Sequence, residues 1–347
     1  MDKSDKIIVG ISLGDLNGIG IEIILKTFQD KRMLEFCTPV LFGSSKVVSY
    51  HKKILGIETP INGVTNIAQL SNNKVNLLNI WKEEVPIELG KATKIAGEYA
   101  AKSLISSVTH LKENKIDVLL TAPINKETIQ SKNFNFPGHT EFLKANLEGD
   151  SLMILMANKL RVGLITGHIP IAKVATTITP KLIKEKVAIM HTALVQDFGI
   201  NKPKIAILGL NPHNGDNGVI GNEENEMITP TINQIKETGK LVFGPYAADG
   251  FFGSETYKQF DGILAMYHDQ GLAPFKSLAF GNGVNYTAGL TEIRTSPDHG
   301  TGFDIAGKNL ANPTSFKEAL FAAINIFKTR KEYKELTKKP LVAKKVV

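Results

Sequence analysis

Short unbroken apolar runs alternate along this chain with longer stretches in which apolar residues return every three or four positions. The runs "KIIVGISL" (6–13), "PVLFGS" (39–44), "IDVLLTA" (116–122), "SLMILMA" (151–157), "RVGLIT" (161–166), "KIAILGL" (204–210) and "FDGILAMY" (260–267) are of strand length. They are rich in Ile, Val and Leu without alternation, which predicts strands covered on both faces. Between them, "TKIAGEYAAKSLISSVTHLKEN" (93–114) predicts a helix with Ile95, Tyr99, Ile105, Val108 and Leu111 toward the core. "TPKLIKEKVAIMHTALVQDFG" (179–199) predicts another, stopping at Gly199. The pattern is that of an α/β protein with a largely parallel sheet.

Ligands of such sheets bind beyond the carboxyl ends of the strands, so the residues following each run are the place to look. They are "GDLNGIGIE" (14–22), "TAPINKE" (121–127), "GHIP" (167–170), "NPHNGDNG" (211–218) and "HDQGLAPFK" (268–276). Three of these put a histidine at a strand end: His168, His213 and His268. One such histidine is more often a hydrogen-bonded structural residue. Three at equivalent positions suit a catalytic divalent ion, Zn²⁺ ahead of Mg²⁺ or Co²⁺, with an open coordination position. His51, His110 and His191 lack this setting and read as surface or packing residues, while Asp269 would orient His268 or the substrate, or else form a turn.

The glycine-rich "GDLNGIGIE" matches neither the dinucleotide nor the P-loop fingerprint, and Gly18 and Gly20 are equally explained by a tight strand-to-helix turn. "FPGHTEFL" (136–143) predicts a helix from Glu141, with Thr140 either capping it or helping to bind an anion at the helix start. Lys276 and Arg294 would supply countercharge for a phosphate.

Composition narrows the picture. With 347 residues the chain is long enough for two domains. The net charge of +7 points to nucleic acid until its distribution is read: residues 328–347 hold eight Lys/Arg against two Glu, which accounts for six of the seven charges. A solvated terminal helix explains them, so neither a nucleic-acid nor a membrane partner is expected. No apolar stretch approaches the roughly 18 residues of a membrane span, and no signal peptide is evident. The lone Cys37 excludes a disulfide framework or thiolate metal cluster. A cytoplasmic location is the expectation.

Taken together, "GDLNGIGIE", "TAPINK", "FPGHTEFL", "GLNPHNGDNG", "MYHDQGL" and "IRTSPDHGTGFDIAG" closely resemble the 4-hydroxythreonine-4-phosphate dehydrogenase family, NAD-dependent enzymes of pyridoxal phosphate (vitamin B6) biosynthesis. "HGTGFDIAGKNLANP" (299–313) also looks like the adenosine-binding loop of isopropylmalate and isocitrate dehydrogenases, which bind NAD without a Rossmann motif. The resemblance implies two α/β/α domains flanking a cleft: residues 1–128 plus 286–347 as the NAD-binding domain, and 129–285 as the metal, substrate and dimerisation domain. It implies that His168, His213 and His268 hold the metal. His139, Thr140, Asp249, Lys276, Asn285 and Arg294 would hold the substrate, and Gly300, Asp304 and Asn312 the NAD or NADP. It further implies a homodimer with shared sites, His168 and His213 coming from one chain and His268 from its partner. Two positions depart from the family pattern, Leu16 where Pro is usual and Gly250 where Thr is usual.

The implied reaction oxidises 4-phosphooxy-L-threonine to 2-amino-3-oxo-4-(phosphooxy)butanoate, which loses CO₂ to give 3-amino-2-oxopropyl phosphate. No residue is singled out as general base beyond Lys126 in "TAPINK". Two alternatives stand beside this reading: a sibling enzyme oxidising a phosphorylated four-carbon sugar acid (erythronate or threonate 4-phosphate), and a metal-dependent phosphatase.

Overall fold

The computed structural model describes residues 6–132, 134–279 and 281–339. Its strands are β1 (Ile7–Ser12), β2 (Cys37–Gly43), β3 (Ile61–Val64), β4 (Val75–Asn79), β5 (Val118–Thr121), β6 (Gly149–Ala157), β7 (Leu160–Leu164), β8 (Lys204–Leu208), β9 (Leu241–Tyr246), β10 (Gly262–Ala265), β11 (Val284–Leu290) and β12 (Arg294–Pro297). They form one hydrogen-bonded sheet in the order β3-β4-β2-β1-β5-β12-β11-β6-β7-β10-β8-β9. All seven expected strands are present, and the fold is of the expected α/β class. The flanks are parallel, but β12, β11, β6 and β7 pair antiparallel with one another at the centre.

Strands β3, β4, β9, β11 and β12 were not anticipated, for physical reasons. β3 is a polar edge strand, and β9 contains Pro245 after a cis bond. β11 and β12 lie at the centre of the sheet yet carry Asn285 and Arg294, which break up any apolar run. The order also sorts by sequence. β1 to β5 and β12 fill one flank, β6 to β10 fill the other, and β11 joins them.

The helix Lys94–Lys112 forms as expected, with the Thr93 hydroxyl accepting from Ala96 N at 3.3 Å. Its buried face differs from the expected stripe. Ile95 is exposed, and Ala96, Gly97, Ala100, Ala101 and Ser103 pack inward beside Leu104, Val108 and Leu111. Small residues win because the backbone approaches so closely: a Cβ on Gly97 would lie 2.1 Å from the Thr128 carbonyl oxygen. The helix Pro180–Gln196 ends before Gly199, whose φ of 69° is the expected left-handed stop.

The basic terminal run starts on the helix Thr314–Thr337, and its last eight residues lie outside the described ones. That helix is fixed by a buried network. Arg330 Nε donates to Asp197 Oδ1 at 2.7 Å and its Nη2 to the Tyr286 hydroxyl at 2.9 Å, while Tyr286 donates to Asp197 Oδ2. Because Tyr286 adjoins Asn285 on β11, the network also holds the centre of the sheet in register. Among the described residues no helix is long and apolar enough to cross a membrane.

Candidate active site

The central strands deliver polar side chains where an apolar core would otherwise close. Thr121 from β5, Asn285 from β11 and Arg294 from β12 line a cleft of about 280 Å³ together with Lys126, His139, Thr140, Glu141, His168, His268, Lys276, Asp298, His299 and Gly300. Seven of the nine residues expected to bind metal or substrate therefore meet in one place. They come from sequence segments up to 155 positions apart.

Arg294 is the most telling of them. Its side chain is fully buried, and its guanidinium donates to Thr121 Oγ1 from Nε (3.0 Å) and Nη2 (2.6 Å) and to Thr287 Oγ1 from Nη1 (3.2 Å). No carboxylate pairs with it at salt-bridge distance among the described residues, and burial pulls its pKa down to about 9. A buried cation held only by hydroxyls is an expensive arrangement unless an anion completes it. Other orphaned groups point the same way: His139 Nε2, Asn285 Oδ1 and His299 Nε2 are buried without hydrogen-bond partners. Burial, reinforced by the positive charges of Arg294 and Lys126, holds His139 well below the usual histidine range, so its ring is neutral at pH 7. Burial likewise lowers His299 and raises the carboxyl of Asp298, whose Oδ1 lies 3.7 Å from Lys276 Nζ.

His139 and Thr140 open the helix His139–Asn146, which begins two residues earlier than expected. Gly138 takes the cap position, so Thr140 does not cap the helix, and both residues face the cleft.

The histidine set divides. β7, β10 and β8 run parallel, so His168, His268 and His213 do leave the same edge of the sheet. The rings of His168 and His268 lie 5.3 Å apart between centroids. Each turns its Nδ1 to a carboxylate: Glu141 Oε1 at 3.5 Å from His168, and Asp269 Oδ1 at 2.7 Å from His268. That leaves each Nε2 for a metal, the usual outer-shell pattern of a metal-ligating imidazole. His213 and Asp249 do not line the cleft. Among the described residues of one chain, no three His, Cys, Asp or Glu side chains come together to hold a metal. Within one chain His168 thus lies beside His268 and apart from His213, unlike the grouping of His168 with His213 that the resemblance implies. β8 lies one strand beyond β10, and the loop after it is a tight turn tied to its own flank of the sheet.

A second cavity of about 580 Å³ adjoins the cleft, sharing Lys276, Asp298, His299 and Gly300, with Ile19, Ile305 and Asn312 further in. The weak motif "GDLNGIGIE" finds its role here. Ile19 N donates to the Thr301 carbonyl at 2.9 Å, and a Cβ on Gly18 would lie 2.7 Å from that same oxygen, so the two glycine-rich loops clasp each other. Of the expected cofactor residues, Gly300 and Asn312 line this cavity and Asp304 does not. Asn312 Oδ1 accepts from Thr314 N and Oγ1, which heads the final helix.

The two departures from the family pattern are structurally quiet. Leu16 is fully buried, its carbonyl 3.0 Å from His51 Nε2, and burial lowers that histidine to about 4. A Cβ on Gly250 would meet open space. Sequence reasoning gave no role to Thr121, Glu141, Asp298 or His299, although each lies within a stretch it quoted.

The family model described as "Pyridoxal phosphate biosynthetic protein PdxA" matches residues 35–323. A 4-hydroxythreonine-4-phosphate dehydrogenase of Bacteroides thetaiotaomicron is 51% identical over 341 residues, covering 98% of this chain and 94% of that protein. A D-threonate 4-phosphate dehydrogenase of Cupriavidus necator is 37% identical over 318 residues, covering 90% and 95%. The crystal structure of a 4-hydroxythreonine-4-phosphate dehydrogenase from Klebsiella pneumoniae superposes with a TM-score of 0.80 at 31% identity, covering 94% of this chain and 99% of that one. Relatives named as dehydrogenases over nearly the full length make the chain an oxidoreductase rather than a phosphatase, and it belongs to the PdxA family of pyridoxal phosphate biosynthesis.

Proposed function

We propose that the protein oxidises the carbinol of 4-phosphooxy-L-threonine with NAD⁺, NADP⁺ being the alternative acceptor, to a β-keto acid that decarboxylates to 3-amino-2-oxopropyl phosphate. The observation that carries this reading is Arg294, a buried guanidinium with no carboxylate at salt-bridge distance, facing a cleft that also holds Lys276 and four imidazoles. Arg294 and Lys276 would take the phosphate by charge-assisted hydrogen bonds. The neutral His139, Thr140 and the free Asn285 oxygen would orient the rest of the substrate. His168 and His268, with Nδ1 already engaged, fit a divalent ion, and His213 of the partner subunit would complete the set. The second cavity, apolar around Ile19 and Ile305, fits the cofactor. A divalent ion at His168 and His268 would supply Lewis-acid polarisation of the reacting hydroxyl, and the cofactor the hydride acceptor.

The proposed organisation is a homodimer, each chain divided into 1–128 plus 286–347 and 129–285, which the sorting of strands to the two flanks supports. A second substrate reading, a phosphorylated four-carbon sugar acid, is favoured by the similarity to the Cupriavidus protein.

The test is NADH formation with 4-phosphooxy-L-threonine and, separately, with D-threonate and erythronate 4-phosphates. The first should be turned over with the highest kcat/KM, and preference for a sugar acid would move the assignment to the sibling. Unphosphorylated hydroxythreonine should lose at least ~10-fold in kcat/KM, since each hydrogen bond to a charged group is worth about 1.5–3 kcal/mol. Equal turnover without phosphate would remove Arg294 and Lys276 from the substrate.

A further inference from the structure

The motif "GDLNGIGIE" ends in a carboxylate that lines neither the cleft nor the second cavity. Glu22 is 1% exposed, in the first turn of the helix Gly20–Gln29. Its Oε1 accepts from Lys26 Nζ, one helical turn on, at 2.7 Å and from the Ala311 amide at 2.9 Å. Lys26 Nζ donates twice more, to the carbonyls of Asn309 (3.0 Å) and Ala311 (2.8 Å). All three donors of the ammonium are thus engaged, and one ion pair satisfies both backbone polar groups of Ala311.

The segment so held is the far end of the loop 299–313. His299, Gly300, Gly302, Ile305 and Asn312 of that loop line the second cavity. From Thr301 to Pro313 it contains neither helix nor strand. Asn309 sits at a φ of 58°, a conformation unfavourable for a residue with a Cβ, so its surroundings must hold it there. The near end of the loop is anchored where Ile19 N meets the Thr301 carbonyl, and the far end by Glu22 and Lys26. Stability alone is a poor explanation for the pair, since apolar residues of similar volume often serve as well as a buried ion pair. Glu22 Oε2 adds to the cost, being buried with no hydrogen-bond partner among the described residues. An apolar pair could not grip an amide and two carbonyls directly before Asn312.

We infer that Glu22 and Lys26 are positioning residues for the dinucleotide: they fix the path of residues 309–312 and, through it, the shape of the cofactor cavity. The inference rests on the reading of the second cavity as the cofactor's and deepens it, giving the acidic end of the motif a part in cofactor affinity. Because the pair lines neither cavity, its loss removes binding common to ground and transition states, which raises KM and leaves kcat.

The test is equilibrium binding of NADH and NADPH, read from their own fluorescence, beside steady-state kinetics of the full-length protein. Glu22→Gln and Lys26→Met should each weaken binding of the tighter dinucleotide, and raise KM for its oxidised form, roughly 3- to 30-fold, as for residues that act on a ligand without touching it. kcat at saturating cofactor, KM for the phosphorylated substrate and Zn²⁺ content should stay close to native. Each single variant leaves one buried charge unpaired and should melt lower. The double variant Glu22→Gln/Lys26→Met removes both charges and should recover most of the melting temperature. It should not recover dinucleotide affinity, because the Asn309 and Ala311 carbonyls stay unheld. Variants that melt lower yet bind the dinucleotide as the native protein does make the pair purely structural and overturn the inference, while the cofactor reading stands. A native protein that binds neither NADH nor NADPH overturns both.

Discussion

Arg294→Met should lower kcat/KM for the phosphorylated substrate by roughly 10- to 150-fold, from the loss of about 1.5–3 kcal/mol of charge-assisted bonding to phosphate. The ligand-free protein should at the same time melt no lower than the native one. A buried guanidinium hydrogen-bonded only to hydroxyls carries a desolvation penalty that the more distant charge of Glu141 offsets only in part, and apolar replacements of buried charges are often neutral or stabilising. The orphaned Thr121 and Thr287 hydroxyls offset part of the gain, at about 1 kcal/mol. Inorganic phosphate should raise the melting temperature of the native protein and not of the variant. Arg294→Lys should recover only part of the activity, because a point charge cannot reproduce the planar fork bonded to Thr121. A variant that melts several degrees lower yet keeps its kcat/KM would make Arg294 a structural residue.

Metal removal should have the larger effect. Chelation should bring NADH formation to background, and readdition of Zn²⁺, Mg²⁺ or Co²⁺ should restore it. His168→Ala, His213→Ala and His268→Ala should each weaken metal binding by more than the roughly 10- to 100-fold typical of losing an outer-shell partner. The readout independent of activity is metal content after dialysis, about one ion per chain in the native protein and little in the variants. Glu141→Gln, which keeps the shape but loses the charge facing His168 Nδ1, should fall between. Full turnover by chelated protein free of bound ion would end the metal assignment.

Much of this was legible in the sequence, and the failures have physical causes. Strands covered on both faces announce themselves as unbroken apolar runs, so β1, β2, β5, β6, β7, β8 and β10 were readable. β11 and β12 were not, because the side chains that make the site, Asn285 and Arg294, are the ones that spoil an apolar run. The same polar interruption hid the antiparallel centre of the sheet. On the helix Lys94–Lys112, periodicity favoured the larger side chains, whereas the close approach of Gly97 to Thr128 selected the small ones.

The strand ends disclosed all three histidines, since a carboxyl-edge position is a matter of sequence order. Which of them meet within a chain depends on the order of strands across the sheet, and no run of residues encodes that locally. β10 neighbours both β7 and β8, yet only the loop after β7 turns its histidine toward His268. The burial of Arg294 and the loss of proton affinity at His139 are likewise products of the assembled fold, invisible at the level of residue type.

The most direct measurement of a site assembled from two chains is subunit exchange between inactive variants. In a mixed dimer of His168→Ala with His213→Ala, one site collects both defects. The other draws His168 and His268 from one chain and His213 from its partner, all intact. Random mixing makes about half the dimers mixed, so roughly a quarter of native activity should return. The pair His168→Ala with His268→Ala should return none, because both residues belong to the same chain's half of each site. Recovery by the second pair and not the first would restore the opposite division of ligands. No recovery by either pair, with subunit exchange demonstrated, would contradict the shared site altogether.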